Sequence, residues 1–282
     1  METKVKSSTK EVVIRDAGPT VLIGERINPA GKKKLAEALK SGDMERVKNE
    51  ALKQVTDGAD ILDVNVVTPG VEEAILLPRV VTLLMETVEV PLCIDINDPK
   101  ALEYALNIYQ GKPIVNSVTG QEASLNAILP LVKQYGAVVI GLTMDDSGIP
   151  KGAEKRVDIA HKIVERADAL GIPREDMIID CLTLTVGADD RAALETLEAI
   201  RGVRAELGVN QTLGASNISF GLPDRHVINH AFLAMAIEAG VTCPTVDVRK
   251  VRPTVLAVDL LLGHDRFAQR YIKDYNQRMD KR

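Results

Sequence analysis

The chain has no tryptophan and only 3% aromatic residues, and its 282 residues carry a net charge of -5. A nucleic-acid binder needs a basic face and stacking rings, so both shortages argue against that class. Cys93, Cys181 and Cys243 are too few for a disulfide scaffold and would leave one thiol unpaired. All three lie in or beside apolar runs and read as small buried hydrophobes. No apolar run approaches the roughly 18 residues that a membrane-crossing helix needs. The N-terminal stretch METKVKSSTKEVV offers no apolar segment for a signal peptide. Residues 1–18 read as a short, partly mobile lead into the first strand, and the cytoplasm is the default location. No Pro/Gly/Ser-rich linker, low-complexity run or sustained charge block divides the sequence, so residues 1–282 read as one domain.

What is present is an alternation. Short apolar runs each stop on a polar residue: TVLIGE at Glu25, ILDVN at Asn65, PLCID at Asp95 and PIVN at Asn116. AVVIGLT stops at Thr143, MIID at Asp180, QTLGASN at Asn217 and PTVD at Asp247. Between them the period turns helical: Leu35–Leu39, Met44–Thr56 with Ser41 or Asp43 as cap, Val71–Glu86, Pro99–Tyr109 and Ala123–Tyr135. Ala153–Leu170, Arg191–Leu207, Pro223–Ala239 and Val251–Leu262 continue the series. Residues 263–282 hold a final amphipathic helix, Asp265–Asp280, expected on the outside or bottom of the fold. Strands this rich in Val, Ile and Leu suit a parallel sheet covered on both faces. Together with a length near that of one α/β barrel, this predicts a (β/α)8 TIM barrel. An open doubly wound sheet is the alternative, disfavoured because no GxGxxG or GxxxxGKS/T loop follows the first strand.

In such a barrel the carboxyl ends of the strands meet in one mouth, where the chemistry lies. An apolar strand needs no polar stop for stability. Asp95, Asn116 and Asp180 end the third, fourth and sixth strands and share one sector. A carboxylate can accept two parallel N–H bonds from an amino-pyrimidinone ring, and an amide can donate and accept beside it. A carboxylate pair could equally bind Mg2+ or act as acid and base, and any single strand-end Asp or Asn could simply cap the next helix. Asn217 follows the small residues Gly214, Ala215 and Ser216, which leave room for a flat ligand. A neutral amide donates to one protonation state of a nitrogen and accepts from the other, which suits a nitrogen whose charge changes during reaction.

The runs Gly24-Glu25-Arg26-Ile27-Asn28 and Gly58-Ala59-Asp60-Ile61-Leu62-Asp63-Val64-Asn65 resemble the pterin-binding barrels, which include dihydropteroate synthase and the methyltetrahydrofolate:corrinoid methyltransferases. Cys93-Ile94-Asp95, Ile114-Val115-Asn116-Ser117, Gly141-Leu142-Thr143-Met144, Gly148-Ile149-Pro150-Lys151, Ile178-Ile179-Asp180 and Ser216-Asn217-Ile218-Ser219 resemble the methyltransferase branch. The ordered set spans about residues 20–275. The resemblance implies that Asp95, Asn116 and Asp180 hold the pterin and that Gly214 forms the pocket floor. It implies that Arg225 helps orient the ring and that Asn217 is the catalytic residue, hydrogen-bonded to the methyl-bearing nitrogen N5. It further implies tetrahydrofolate or methyltetrahydrofolate as substrate, a separate corrinoid protein whose cobalamin carries the methyl group, and a homodimer. Phe220 departs from the pattern, since some relatives place a polar pterin contact there. Dihydropteroate synthase has a lysine near the position of Asn217 and Ser-Arg-Lys at its last strand. Here Asn217 and Asp247-Val248-Arg249-Lys250 stand instead, which favours methyl transfer over condensation with p-aminobenzoate. A barrel that binds folate and docks the corrinoid protein without catalysis is the non-enzymatic alternative.

His226 and His230 have i, i+4 helical spacing, but no His-x-Cys pair or HExxH motif accompanies them, so no metal is expected. Lys32-Lys33-Lys34 reads as a solvated helix start rather than a site for a polyglutamate tail. Lys151, Arg249 and Arg252 read as better placed for the glutamate carboxylates.

Overall fold

The computed structural model describes residues 1–280. The chain opens with an antiparallel hairpin, β1 (Glu2–Lys6) and β2 (Glu11–Arg15). Eight strands of a second sheet follow: β3 (Ile23–Ile27), β4 (Ile61–Asn65), β5 (Leu92–Asp95), β6 (Ile114–Thr119), β7 (Val138–Leu142), β8 (Met177–Asp180), β9 (Asn210–Thr212) and β10 (Thr245–Val246). They run parallel in the order β10-β3-β4-β5-β6-β7-β8-β9. The Thr242 and Cys243 N–H groups donate to the Gln211 carbonyl, and that of Thr245 to the Leu213 carbonyl. These bonds join β10 to β9 and close the ring, so the expected barrel is present and the open sheet is not. The outer layer comprises α1 (Lys33–Ser41), α2 (Met44–Thr56), α3 (Glu73–Thr87), α4 (Pro99–Ile108), α5 (Glu122–Tyr135), α6 (Ala153–Ala169), α7 (Ala192–Glu206), α8 (Arg225–Ala239) and α9 (Val248–Leu261). The last helix, α10 (Gln269–Met279), packs outside against α9, as expected, through Arg252–Asp274 and Arg270–Asp259 ion pairs.

The two-residue period of a strand decides what enters the barrel. Ile23, Ile61, Cys93, Ile114, Val138, Ile140, Ile178 and Cys243 form one buried interior cluster. Two residues further along the strands, the same parity brings Glu25, Asp63, Asp95, Asn116, Leu142, Asp180 and Thr245 round to the mouth. The opposite parity, including Leu62, Ile94, Val115, Val139 and Ile179, packs under the helices in the larger core. Apart from Leu142 on β7, the inward column is thus apolar low and polar high, which is why most of the runs stop on a polar residue.

Three sequence readings need correction. Residues 1–18 are not a loose lead. Val5, Val12 and Ile14 of the hairpin join the interior cluster and plug the end of the barrel opposite the mouth. Asn210 on β9 donates to Thr3 Oγ1 at 2.9 Å and to the Ile14 carbonyl at 3.1 Å, while Thr3 Oγ1 donates to the Glu175 carbonyl at 2.6 Å. Second, the strand read through Asn217 ends at Thr212, and Ala215–Ser219 is a 3-10 turn. Gly214 begins that turn, and its loss of extended geometry removes Asn217 from the strand while keeping it at the mouth. Third, Arg252 does not face the mouth. Its Nε donates to Asp274 and its Nη1 to the Gly58 carbonyl, both at the outer wall. The three cysteines are free and buried, as read.

Candidate active site at the barrel mouth

Asp95 and Asp180 end β5 and β8, whereas Asn116 lies inside β6, which was read as stopping there but continues past a register shift to Thr119; β7 lies between β6 and β8. Asp180 is the most constrained. Its Oδ1 accepts from the Leu182 N–H at 2.7 Å, and the Gly214 N–H also donates to the carboxylate. Burial nonetheless pushes its pKa up to about 6, because two neutral donors replace hydration only in part. Leu182 takes a left-handed φ of 59°, costly for a branched side chain. The wholly buried Arg156 of α6 fixes that turn: its Nη1 donates to the Cys181 and Leu182 carbonyls at 3.1 and 2.9 Å, and its Nε to Pro150 O at 2.8 Å. Arg156 therefore holds the backbone that aims Asp180.

A second layer supports the other two residues. Asn65 Nδ2 donates to Asp95 Oδ2 at 2.9 Å, and Asn116 Nδ2 donates to Asp63 Oδ1 at 3.1 Å. With one amide hydrogen given to Asp63, Asn116 keeps its second N–H and its carbonyl oxygen for a ligand. Asp63 and Asp95 are close enough to oppose each other's ionisation. Burial first, then the neighbouring Asp95 charge, drives the Asp63 carboxyl well up. Burial likewise raises Asp95, against the bond from Asn65. Sequence reasoning assigned no role to Asp63 or Asn65. The signal was available: in ILDVN, positions 61, 63 and 65 share one face, so Asp63 had to point into the barrel with Asn65.

Asn217 rides on the 3-10 turn after β9 and its side chain is exposed to the mouth. A Cβ on Gly214 would lie 3.3 Å from Asn217 Nδ2, so this carboxamide rests over the glycine whose N–H binds Asp180. Asp180, Gly214 and Asn217 are thus brought together. Arg225, the first residue of α8, clamps the turn: Nη2 donates to the Ser216 carbonyl at 2.8 Å and Nε to Ser219 Oγ at 2.9 Å. Its guanidinium stacks 4.5 Å from the centre of the exposed Phe220 ring.

A cavity of about 390 Å3 opens beside this turn, lined by Glu25, Ser216, Phe220, Arg225, Asp247 and Lys250 among others. Burial raises the Glu25 carboxyl, with Lys32 opposing the shift. His226 and His230 also line the cavity, their rings 6.4 Å apart. Each has a partner, His226 in Asp224 at 2.8 Å and His230 in Thr254 at 3.0 Å. Among the described residues no group of three His, Cys, Asp or Glu side chains is arranged to hold a metal ion.

Residues 24–247 match the family model described as pterin binding enzyme. The chain belongs to the pterin-binding enzyme family. Over 265 residues it is 30% identical to a methylcorrinoid:tetrahydrofolate methyltransferase of Eubacterium limosum, covering 91% of this chain and 96% of that protein. It is 31% identical over 265 residues to methionine synthase of Mycobacterium tuberculosis, covering 89% of this chain and 22% of that longer protein. A dihydropteroate synthase of Yersinia pestis superposes with a TM-score of 0.71 at 15% identity, over 93% of this chain and 100% of that one. The enzyme of Xanthomonas albilineans in complex with 7,8-dihydropteroate superposes with a TM-score of 0.62 at 18% identity, over 88% and 95% of the two chains. These structures share the barrel of this family member.

Proposed function

We propose that this chain is a cytoplasmic methyltransferase that moves a methyl group between a corrinoid protein and N5 of tetrahydrofolate, forming methyltetrahydrofolate in an anaerobic demethylation sequence. The observation that carries the reading is the Asp180–Gly214–Asn217 cluster: a half-buried carboxylate beside a glycine floor, with a free carboxamide over it. Asp180 accepts the exocyclic amine and ring N–H of the pterin, which replace the water its burial removed. Asp95 and the Asn116 carbonyl accept along the same ring. Gly214 leaves the ring room to lie flat, and Asn217 meets N5 from the open side. The likeness over nearly full length to a methylcorrinoid:tetrahydrofolate methyltransferase supports the same direction of reading.

The partner's corrinoid supplies a methyl group whose bonding electrons stay with cobalt on transfer. The N5 lone pair forms the new N–C bond, and N5 becomes a cationic ammonium that then releases its proton to water at the open mouth. Asn217 Oδ1 accepts from the N5–H of tetrahydrofolate and then of the methylated cation, and Nδ2 donates to the N5 lone pair once the methylated amine has lost its proton. The carboxamide follows the nitrogen through the reaction without taking its proton. In reverse the same contacts stabilise the same transition state. A protein-borne methyl group must reach N5, so the mouth has to remain open at Asn217, as its exposure allows.

Single-turnover transfer from a methylated corrinoid protein to tetrahydrofolate tests the function. Formation of methyltetrahydrofolate with equal loss of methylated corrinoid is the expected result. Binding of tetrahydrofolate without any transfer would leave only a folate-binding barrel.

A further inference from the structure

A second cavity, of about 290 Å3, lies on the outer side of the β3 end and is lined by Arg26, Lys32, Lys33, Lys34, Arg46 and Glu50. Five cations face one carboxylate there. Glu50 is already committed, accepting from Arg26 Nε at 3.0 Å, and Arg26 also lies 3.6 Å from Asp247. Lys32 Nζ donates to the Glu25 and Arg26 carbonyls at 3.3 and 3.2 Å. Lys33, Lys34 and Arg46 are exposed and have no carboxylate within ion-pair distance among the described residues. The lysines begin α1, which has no acidic residue in its first turn. Cations at that end oppose the helix dipole, so their concentration there costs stability that a bound anion offsets.

The basic cavity adjoins the mouth. Glu25 lines the mouth cavity and the next residue, Arg26, lines the basic one. Its cations come from three elements, β3, α1 and α2, and are spread rather than convergent. That arrangement fits a chain of spaced carboxylates better than one compact anion. We infer that this cavity binds the γ-linked polyglutamate tail of the folate substrate, an inference that rests on the folate reading above. Each added glutamate brings one carboxylate within reach of Lys33, Lys34 and Arg46, whose flexible stems follow a mobile tail. The sequence alone reads these lysines as a solvated helix start; what the fold adds is Arg26 and Arg46 beside them.

The test compares binding of tetrahydrofolate and its triglutamate by calorimetry. The parent should bind the triglutamate about tenfold more tightly at low salt, as several exposed ion pairs together allow, and high salt should erase the difference. The Lys33→Glu/Lys34→Glu/Arg46→Glu variant should bring the ratio of the two dissociation constants close to one. All three positions are exposed, and circular dichroism confirms folding. The salt titration of the parent stands even without that variant. Equal binding of both forms by the parent would overturn the tail site and leave the folate reading intact. Binding of neither form would sink the folate reading and the tail site with it. A ratio preserved in the folded variant, with weaker use of the corrinoid protein, would overturn the inference in favour of partner docking.

Discussion

Burial raises the Asp180 carboxyl to about 6 although two backbone N–H groups donate to it. Its ordinary value is near 3.9, so the folded chain holds this proton more tightly than the unfolded chain. The stability tied to it is fully present below about pH 4 and is lost as pH rises through about 6. By pH 7.5 the loss is about 3 kcal/mol. Asp180→Asn, which cannot ionise, should therefore be more stable than the parent at pH 7.5, with the gap closing below pH 4. The same variant should bind tetrahydrofolate about 100-fold more weakly at pH 7.5, because a neutral amide cannot accept two charge-assisted bonds. Parent affinity should fall as pH drops below about 6. Urea unfolding at both pH values and calorimetry would check this; a variant less stable than its parent at pH 7.5 would refute the burial argument. Asn217→Ala acts on rate instead. Losing one preorganised partner of a nitrogen that changes charge should slow single-turnover transfer roughly 100-fold. Tetrahydrofolate affinity should change by less than about tenfold, because Asp95, Asn116 and Asp180 remain. Transfer within threefold of the parent would reduce Asn217 to a lining residue. At this scale the sequence was readable where a polar residue ended an apolar run, as at Asp95, Asn116 and Asp180. It was passed over where the polar group lay inside the run, as at Asp63, although its parity with Asn65 pointed it inward, and it was opaque where a side chain acted through backbone, as at Arg156.

Among the elements, the β1–β2 hairpin was the least legible. Its alternation, Thr3 and Val5 against Val12 and Ile14, is interrupted by charged residues on the opposite face and is only five residues long in each strand. Only the register of the pair shows that these four point the same way, into the open base of the barrel. Ile14 is fully buried there. Ile14→Ala should cost about 2–4 kcal/mol through lost burial and the cavity left behind, and lower the melting temperature by several degrees. Tetrahydrofolate binding at 25 °C should be unchanged, since the mouth lies at the other end of the strands. A thermal melt matching the parent's would show that the hairpin is not a structural plug. The helices were legible to within a few residues because their apolar faces repeat at helical spacing. The strand before Asn217 was overextended in reading because Leu213 continues the apolar run. The Gly214-Ala215-Ser216 series, small and permissive, in fact lets the chain tighten into the turn that Arg225 clamps.

At the scale of the whole molecule, the barrel is closed by the hairpin at its base and polar at its mouth. Under the proposed function a protein-bound corrinoid has to approach from the mouth, so any self-association compatible with transfer must leave that rim free. The helices Ala153–Ala169 and Ala192–Glu206 lie on the outer wall, and Leu170, just after the first, and Leu194, within the second, are 44% and 49% exposed. We expect a homodimer formed by this outer ring with two-fold symmetry, the commonest assembly of soluble chains. A stable pair should bury about 1,200 Å2 or more of surface in total, which the helix faces can provide without using the strand ends. Light scattering at micromolar concentration should give twice the 30.6 kDa mass of one chain. Titration with the corrinoid protein should then saturate at one partner per barrel, because both mouths face solvent. A monomer would remove the dimer. A dimer that accepts a single corrinoid protein would mean that one mouth is covered, and the outer-wall geometry would be wrong.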